Sequence, residues 1–174
     1  MTILPAPADL PLDSNVNDNR LVHELKGIDM QPFPHLYAVS AKSRADSNVE
    51  LSSPDLTALE SAAPAHFGGP GNLWSPETLL VAAVADCFVL SFKAIAAASK
   101  MNWLALECAV EGVLDRVDGV TRFTNIRISA TLDAPASVSE HLATRLLEKS
   151  EQVCLITNSL NAKLHLETRV RMAT

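Results

Sequence analysis

The fold of this protein is decided by residues 72–99, which read NLWSPETLLVAAVADCFVLSFKAIAAAS. Within them, Ser75, Pro76 and Glu77 are typical of a helix start, because serine caps free N–H groups, proline suits the first helical position and an acid suits the first turn. The residues that follow are apolar on nearly every face of a helix. They predict one long helix, over about 76–99, that is central and covered on all sides.

Strand patterns flank this helix on both sides. Asp118-Gly119 is a strong hairpin signal between two of them, and Ser137 or Ser139 can cap a second helix. The order strand, strand, helix, strand, strand, helix, strand predicts an α+β fold, with a mostly antiparallel sheet packed on two helices. The predicted strands cover 35–42, 49–51, 106–116, 120–132 and 163–172, the second helix covers 138–153, and residues 52–72 read as a loop.

The strand at 120–132 carries the clearest alternation of polar and apolar residues. This alternation predicts a half-buried strand, with one face on the core and one face in water. The alternating sets are Phe123, Asn125, Arg127 and Ser129 on one side and Thr124, Ile126, Ile128 and Ala130 on the other.

Length and composition indicate one globular domain. The chain has 174 residues, of which 48% are hydrophobic and 20% are charged, and its net charge is −6. We assign residues 35–174 to the domain and residues 1–34, with their many Pro, Asp and Asn, to an N-terminal extension. The acidic balance argues against a nucleic-acid partner, since phosphate binding needs a basic face.

Neither secretion nor membrane insertion is predicted. The N-terminus lacks the basic flank and the continuous apolar run of a signal peptide. The apolar segment 79–98 contains Asp86 and Lys93 and is dominated by alanine, so a buried helix of a soluble protein explains it better than a membrane span. The expected location is the cytoplasm.

Several common kinds of site lack their motifs. GGPG at 68–71 matches no phosphate-binding loop. The five histidines and three cysteines show no HxxxH or CxxC pairing, so we predict neither a metal nor a cofactor. GxSxG is absent, which argues against the nucleophile elbow of a hydrolase.

The three cysteines are the remaining candidates for chemistry. Cys87 lies in the middle of the apolar helix, Cys154 lies where the second helix gives way to a polar turn, and Cys108 lies in an alternating strand. Their odd number does not indicate a secreted disulfide scaffold. Periodicity alone is compatible with three buried and inert thiols.

The surroundings of two of these cysteines resemble one family, the OsmC/Ohr proteins (osmotically inducible protein C and organic hydroperoxide resistance proteins). The resemblance covers roughly residues 35–172. It implies an intertwined homodimer with the long helices at its centre and the sites at the interface. The residues that carry it are Ser75-Pro76-Glu77, the alanine-rich run, Asp86-Cys87-Phe88, and Cys154 with Thr157-Asn158.

The resemblance implies a thiol peroxidase that reduces organic hydroperoxides. Cys87 matches the peroxidatic cysteine, Cys154 the resolving cysteine, and Glu77 a glutamate that pairs with the site arginine. Arg44, in the turn after the first long strand, is the candidate for that arginine. A permanent cation would keep the attacking cysteine ionised in a dry pocket. The alternative arginines, on later strands, are Arg116, Arg122 and Arg127.

The implied cycle needs an external reductant. The Cys87 thiolate attacks the distal peroxide oxygen and becomes a sulfenic acid, and Cys154 condenses with it to a disulfide. An external dithiol, for which the family suggests a lipoyl-bearing protein, then reduces this disulfide. Apolar walls would favour apolar peroxides over hydrogen peroxide, and the candidates for these walls are Phe67, Trp74, Leu80 and Phe88.

Glu77 and Cys87 cannot meet along a single helix. Ten residues at ~1.5 Å per residue separate them by about 15 Å, so Arg44 must bridge from elsewhere, with the second subunit involved. The chain also departs from the family pattern in two places. Leu155 follows the second cysteine where proline is common, and Arg44 lies in Ser-Arg-Ala-Asp without the glycines that are common there.

Two other functions stay open at this point. One is a non-catalytic dimer that binds a small apolar ligand at the subunit interface and has unreactive thiols. The other is a different cysteine-dependent enzyme, such as a hydrolase or a thiol transferase. Cys154 separates the two enzyme hypotheses, since a disulfide-forming cycle needs it and hydrolysis does not.

Overall fold

The computed structural model of the protein describes residues 31–173. The extension predicted for 1–34 lies almost wholly outside the described residues, so its boundary stays a prediction. The strands and helices are β1 (Ser40–Lys42), β2 (Val49–Ser52), β3 (Leu59–Ser61), α1 (Pro76–Ala98), β4 (Ala105–Val117), β5 (Val120–Pro135), α2 (Glu140–Gln152), α3 (Leu155–Asn158) and β6 (Lys163–Ala173).

The long helix begins where the sequence predicts. Ser75 Oγ accepts a hydrogen bond from the backbone N–H of Thr78 (3.2 Å), and Thr78 Oγ1 accepts one from the backbone N–H of Ser75 (2.8 Å). This reciprocal capping box, followed by Pro76 at the first helical position, satisfies N–H groups that would otherwise lack partners. The helix ends at Ala98, close to the predicted end.

The larger sheet has the strand order β4–β5–β6. β4 and β5 form the predicted antiparallel hairpin, in which Asp118 and Gly119 adopt φ of +53° and +80°, as a tight two-residue turn requires. β6 pairs with β5 in parallel, because the helical crossover between them returns the chain to run in the same direction. The α+β class is confirmed, and the larger sheet is mixed because of this one pair.

The predicted alternation along β5 is wrong at one residue. Asn125 pairs with the residue before Leu114, but Leu114 itself pairs with Phe123, so Thr124 is an extra residue that forms a β-bulge. Simple alternation puts Phe123 on the wet face with Asn125. The extra residue shifts the alternation of side chains between the two faces of the strand by one position. Phe123 therefore points inward, to the same face as Ile126, and packs against the core.

The smaller sheet is a meander of β1, β2 and β3. β3 lies in the segment 52–72 that the sequence assigns to a loop, and β1 is shorter than predicted. One face of the meander, with Val49, Leu51 and Leu59, is half-buried, whereas the opposite face and the whole of β1 are exposed. The bridge between Ser61 and Trp74 joins its last strand to the start of α1.

The core lies between α1, α2 and the inner face of the larger sheet. Its residues recur at helical spacing on one stripe of α1 and at alternate positions of β5, as burial on one side of each element requires. The main contributors are Val84, Phe88, Phe92 and Ile95 from α1, Ile126, Ile128 and Leu132 from β5, and Leu146 and Leu147 from α2.

The opposite stripe of α1 is mainly apolar but only partly covered, and the exposed Asp86 and Lys93 lie on this side of the helix. Leu90 is 53% exposed, and Leu79, Ala83 and Ala94 on the same side are half-buried. By length and composition, α1 is the one described helix that could cross a membrane, and 28% of its most apolar window is buried. Core helices of soluble proteins meet the same criteria, and the packing of α1 on α2 and β4 is that of a core helix.

The start of α2 provides a test of the helix assignment. Ser139 Oγ accepts a hydrogen bond from the backbone N–H of Leu142 (3.2 Å), so Ser139 rather than Ser137 is the cap. We expect Ser139→Ala to lower the free energy of unfolding by about 1 kcal/mol, because this N–H loses its partner. Urea unfolding measures the change. Ser137→Ala is the matched control and should stay within about 0.5 kcal/mol of wild type; equal losses would contradict the assignment.

Candidate active site

The fold brings two of the three cysteines together. Cys87 is half-buried in the middle of α1, and Cys154 is fully buried immediately before α3. α3 packs on α1, and this contact makes the Cys154 thiol a neighbour of Cys87, near enough for Cys87 to affect its pKa. Both residues are free thiols.

The surroundings of Cys154 favour its neutral form. Burial raises the pKa of the Cys154 thiol, and the adjacent Cys87 adds to the rise, while hydrogen bonding from the Thr157 backbone opposes it. Thr157 is itself held in place, since its hydroxyl donates to the carbonyl oxygen of Cys154 (3.0 Å). Leu155, at the position where the family commonly has proline, is 72% exposed.

Cys108 is a third thiol in the same region. It lies on the inner face of β4 opposite Ala130, and it packs against the core. Burial, with a smaller contribution from the charge of Cys154, raises the pKa of Cys108 to about 11. The sequence reading of Cys108 as a packing residue agrees with this placement, because a thiol with so high a pKa stays protonated and inert near neutral pH.

Glu77 lines a cavity of about 570 Å³ at the start of α1. The cavity is enclosed by the 3-10 turn Ala65–Phe67, the first two turns of α1 and the middle of the β4–β5 hairpin. Its walls are mainly apolar. The residues that matter below are Phe67, Glu77, Val81, Gly112, Leu114 and Phe123.

One carboxylate oxygen of Glu77 is buried without a partner among residues 31–173. Its Oε2 atom is inaccessible to solvent and accepts no hydrogen bond there. Burying a polar oxygen without a hydrogen-bond donor is unfavourable, and more so when the group carries a charge. The geometry therefore calls for a donor or cation that the described chain does not itself supply.

Arg44 does not fill this role within one chain. It lies in the turn between β1 and β2, and it lines a separate groove with Lys42 and Glu60. Its backbone N–H donates to Ser47 Oγ (2.9 Å), but its guanidinium has no ion-pair partner among the described residues. The described chain thus contains a buried carboxylate without a cation and an exposed arginine without a carboxylate.

The alternative arginines do not lie near the thiols. Arg127 is on the outer face of the larger sheet, where its Nε is 4.0 Å from Glu167 Oε1. Arg116 and Arg122 pair with positions close to the hairpin tip and are exposed. Arg44 therefore stays the candidate that the resemblance implied.

The four predicted wall residues lie in different surroundings. Phe67 lines the cavity although it is 59% exposed, and Trp74 is 48% exposed beside the helix cap. Leu80 is half-buried, seven residues before Cys87, and so on the same face of α1. Phe88 is fully buried in the core and does not line the cavity.

Sequence reasoning missed the sheet side of the cavity. Gly112 and Leu114 of β4 line the cavity on this side. Phe123 of β5 joins them only because the bulge at Thr124 turns it inward. The polar-apolar alternation contains no signal for that bulge. Among residues 31–173, no group of three or more His, Cys, Asp or Glu could hold a metal ion.

These features define a class of protein: an α+β domain in which a long apolar helix carries one thiol and a second thiol meets it from the end of a following helix. This chain belongs to the OsmC-like family. The family model described as OsmC-like protein matches residues 69–169, which include both cysteines. The chain is also 30% identical over 114 residues to the uncharacterized protein YmaD of Bacillus subtilis, covering 63% of this chain and 76% of YmaD.

Solved structures share the fold. An OsmC-like protein of unknown function from Vibrio cholerae superposes with a TM-score of 0.70 at 17% identity, covering 78% of this chain and 99% of that one. The organic hydroperoxide resistance protein OsmC from Legionella pneumophila superposes with a TM-score of 0.62 at 24% identity, covering 79% and 98%. At such identities the likeness establishes the fold, and function has to be argued from the site.

The raised pKa of Cys108 predicts a pH-dependent loss of stability. In the unfolded chain this thiol ionises near pH ~8.5, whereas in the folded protein it stays neutral up to about 11. Its contribution is therefore complete below pH ~8.5 and is lost as pH rises to 11. After allowance for its partial exposure, the loss should be about 1–2 kcal/mol.

Urea unfolding of wild type and Cys108→Ala, at several pH values from 8 to 11, measures this contribution. The free energy of unfolding of wild type should fall more steeply with pH than that of the variant. Other titrating groups affect both proteins equally, so parallel curves would contradict the placement of Cys108.

Proposed function

We propose that this protein is a thiol peroxidase that reduces organic hydroperoxides to alcohols. The observation that carries the proposal is the pairing of Cys87 with Cys154, two free thiols that are distant in sequence and adjacent in the fold. Membership of the OsmC-like family supports it, as does similarity to a protein named for organic hydroperoxide resistance.

The two thiols suit two different steps. The Cys87 thiolate attacks the distal oxygen of the hydroperoxide, the O–O bond breaks, and the products are a Cys87 sulfenic acid and an alkoxide that takes a proton to become an alcohol. Cys154, buried and kept neutral, then condenses with the sulfenic acid, so that a Cys87–Cys154 disulfide forms and water leaves. Its high pKa keeps it from competing for the peroxide, since the thiolate is the nucleophile.

An external dithiol closes the cycle. It transfers two electrons to the Cys87–Cys154 disulfide by thiol–disulfide exchange and becomes a disulfide itself. A lipoyl-bearing protein is the proposed carrier of this dithiol. A reducing compartment keeps such a donor available, which fits the cytoplasm as the proposed location.

We also propose that the working unit is a homodimer. The partly covered apolar stripe of α1, with Leu90 53% exposed, and the half-buried apolar face of the meander β1–β3 are both open to a partner surface. A second copy meets this need with one closed, two-fold contact. The family is one of dimers, and the resemblance places the long helices at the centre.

The same arrangement explains the position of Glu77. Suppose that two antiparallel copies of α1 cross at Ala82, which is midway between Glu77 and Cys87. Ala82 and its neighbour Ala83 are small enough for a close approach. Glu77 of one copy then lies level with Cys87 of the other, and the 15 Å separation along one helix no longer matters.

Arg44 completes this proposed site. Its exposed meander can carry the guanidinium to the Glu77 carboxylate of the dimer, where the planar fork forms a bidentate pair and its charge favours the attacking thiolate. The buried Oε2 of Glu77 supports this assignment because it needs such a donor.

The cavity beside Glu77 also favours the second candidate function, a dimer that binds a small apolar ligand without catalysis. Its volume of about 570 Å³ lies within the ~300–1,000 Å³ of typical ligand pockets. This function predicts binding with no consumption of peroxide.

Thiol mapping separates the two functions. One equivalent of tert-butyl hydroperoxide should convert Cys87 and Cys154 to a disulfide, which mass spectrometry after alkylation detects as the loss of two of the three free thiols. Cys154→Ser should stop at a sulfenic acid on Cys87 that dimedone traps. Cys108→Ser is the control and should form the same disulfide as wild type. Three intact thiols after prolonged exposure would leave the ligand-binding dimer as the better account.

The proposed contribution of both copies to each site can be tested by complementation. Sedimentation should first give twice the 18.7 kDa of one chain. Arg44→Ala and Glu77→Gln should each abolish most activity as homodimers. Their isolated heterodimer should regain about half of the wild-type activity, because one of its two sites is then intact.

Lys42→Ala, which removes a neighbouring cation in the same meander, is the matched control and should keep wild-type activity. An inactive heterodimer formed from these two inactive chains would place Arg44 and Glu77 of one site in the same copy and overturn the shared site.

A further inference from the structure

The β-bulge at Thr124 directs one large side chain into the cavity. Without it, Phe123 would lie on the wet face of the sheet. With it, Phe123 sits opposite Leu114 on the inner face, and both residues line the cavity next to Val81 of α1. Bulges are common beside active sites because they re-aim a side chain.

Gly112 provides the space for this ring. A Cβ atom at position 112 would stand 2.7 Å from Cε1 of Phe123 and 2.9 Å from Cγ2 of Val81. Both distances are too short for carbon atoms in contact, so any larger residue would push the ring or the valine aside. The glycine and the bulge together allow the ring of Phe123 to pack against β4.

From these two features we propose that Phe123 is a specificity-determining residue, which sets the depth of the cavity and thereby the size of the apolar body that a hydroperoxide substrate can carry. Phe123 touches no reacting group in this role. It limits the space left between α1 and the sheet, with Leu114 as the opposite part of the same wall.

This inference rests on the proposed function, because it assigns the cavity to that reaction's substrate. Glu77 lines the cavity, and in the proposed dimer it lies level with Cys87 of the second copy. A peroxide group at that thiol can therefore leave its alkyl chain in the cavity. Val81, the α1 residue of the cavity that lies farthest from the start of the helix, is four residues from Glu77, or about 6 Å along the axis, which an extended chain of several carbons can span.

Three variants test the proposal with octyl hydroperoxide and tert-butyl hydroperoxide as substrates. Leu114→Trp narrows the cavity and should lower the ratio of kcat/KM for the octyl compound to kcat/KM for the tert-butyl compound by about tenfold or more. Phe123→Leu widens it and should raise the preference for dodecyl over octyl hydroperoxide. Val113→Trp is the matched control on the same strand, since Val113 faces outward and is 51% exposed; it should leave both ratios unchanged.

Binding of octanol, measured by titration calorimetry, keeps the test independent of catalysis. Leu114→Trp should weaken this binding and Val113→Trp should not. If wild type consumes no peroxide but still shows this pattern, the peroxidase fails and the role of the cavity wall stands. The role of Phe123 would be overturned if both cavity variants folded and kept the wild-type ratios of kcat/KM. It would also be overturned if Leu114→Trp bound octanol as tightly as wild type does.

Discussion

A helix that is apolar on nearly every face needs cover for most of its surface, and the packing of all the other elements follows from how α1 obtains that cover. Its own chain covers one stripe, through Val84, Phe88 and Phe92 against the inner face of β5 and against α2. The opposite stripe, with Leu90 at its middle, stays partly exposed. Burial of apolar surface contributes about 25 cal/mol per Å², so the uncovered stripe is a driving force for association with a second copy.

The charges follow from the same helix. Its N-terminus favours an acid, and Glu77 occupies that place, but the helix then holds the carboxylate against an apolar cavity. The result is a buried oxygen without a partner in the described chain, while Arg44 lies exposed in the turn between β1 and β2. The buried oxygen is unfavourable without a donor, and Arg44 supplies that donor in the proposed dimer.

The three thiols are chemically identical, and their burial and their positions give them different roles. Cys154 and Cys108 are both held neutral, chiefly by desolvation. Cys108 belongs to the packing of β4, whereas Cys154 meets Cys87 at the junction of α1 and α3. Position decides which thiol can form a disulfide with Cys87. The proposed cycle needs one thiol that reacts with the peroxide and a second that condenses with the resulting sulfenic acid.

Local patterns predicted much of the fold. The Ser75 cap and the apolar run are short-range signals, and α1 begins where they place it. The hairpin at Asp118-Gly119 and the strands β4, β5 and β6 were also predicted, because positive-φ turns and polar-apolar alternation are properties of neighbouring residues. β3 was not predicted, because a strand of three residues in a proline-rich segment is too short to show periodicity. Only its pairing with β2 defines it.

The sequence therefore specified the set of elements, since capping, turns and periodicity act over a few residues, and its resemblance to one family pointed to two of the three cysteines. The tertiary structure decided the rest. The bulge that turns Phe123 inward, the space that Gly112 leaves for it, the meeting of Cys87 with Cys154 and the isolation of Glu77 from Arg44 all depend on residues that are distant in the chain. Their positions follow from how whole elements pack, and no local pattern records that packing.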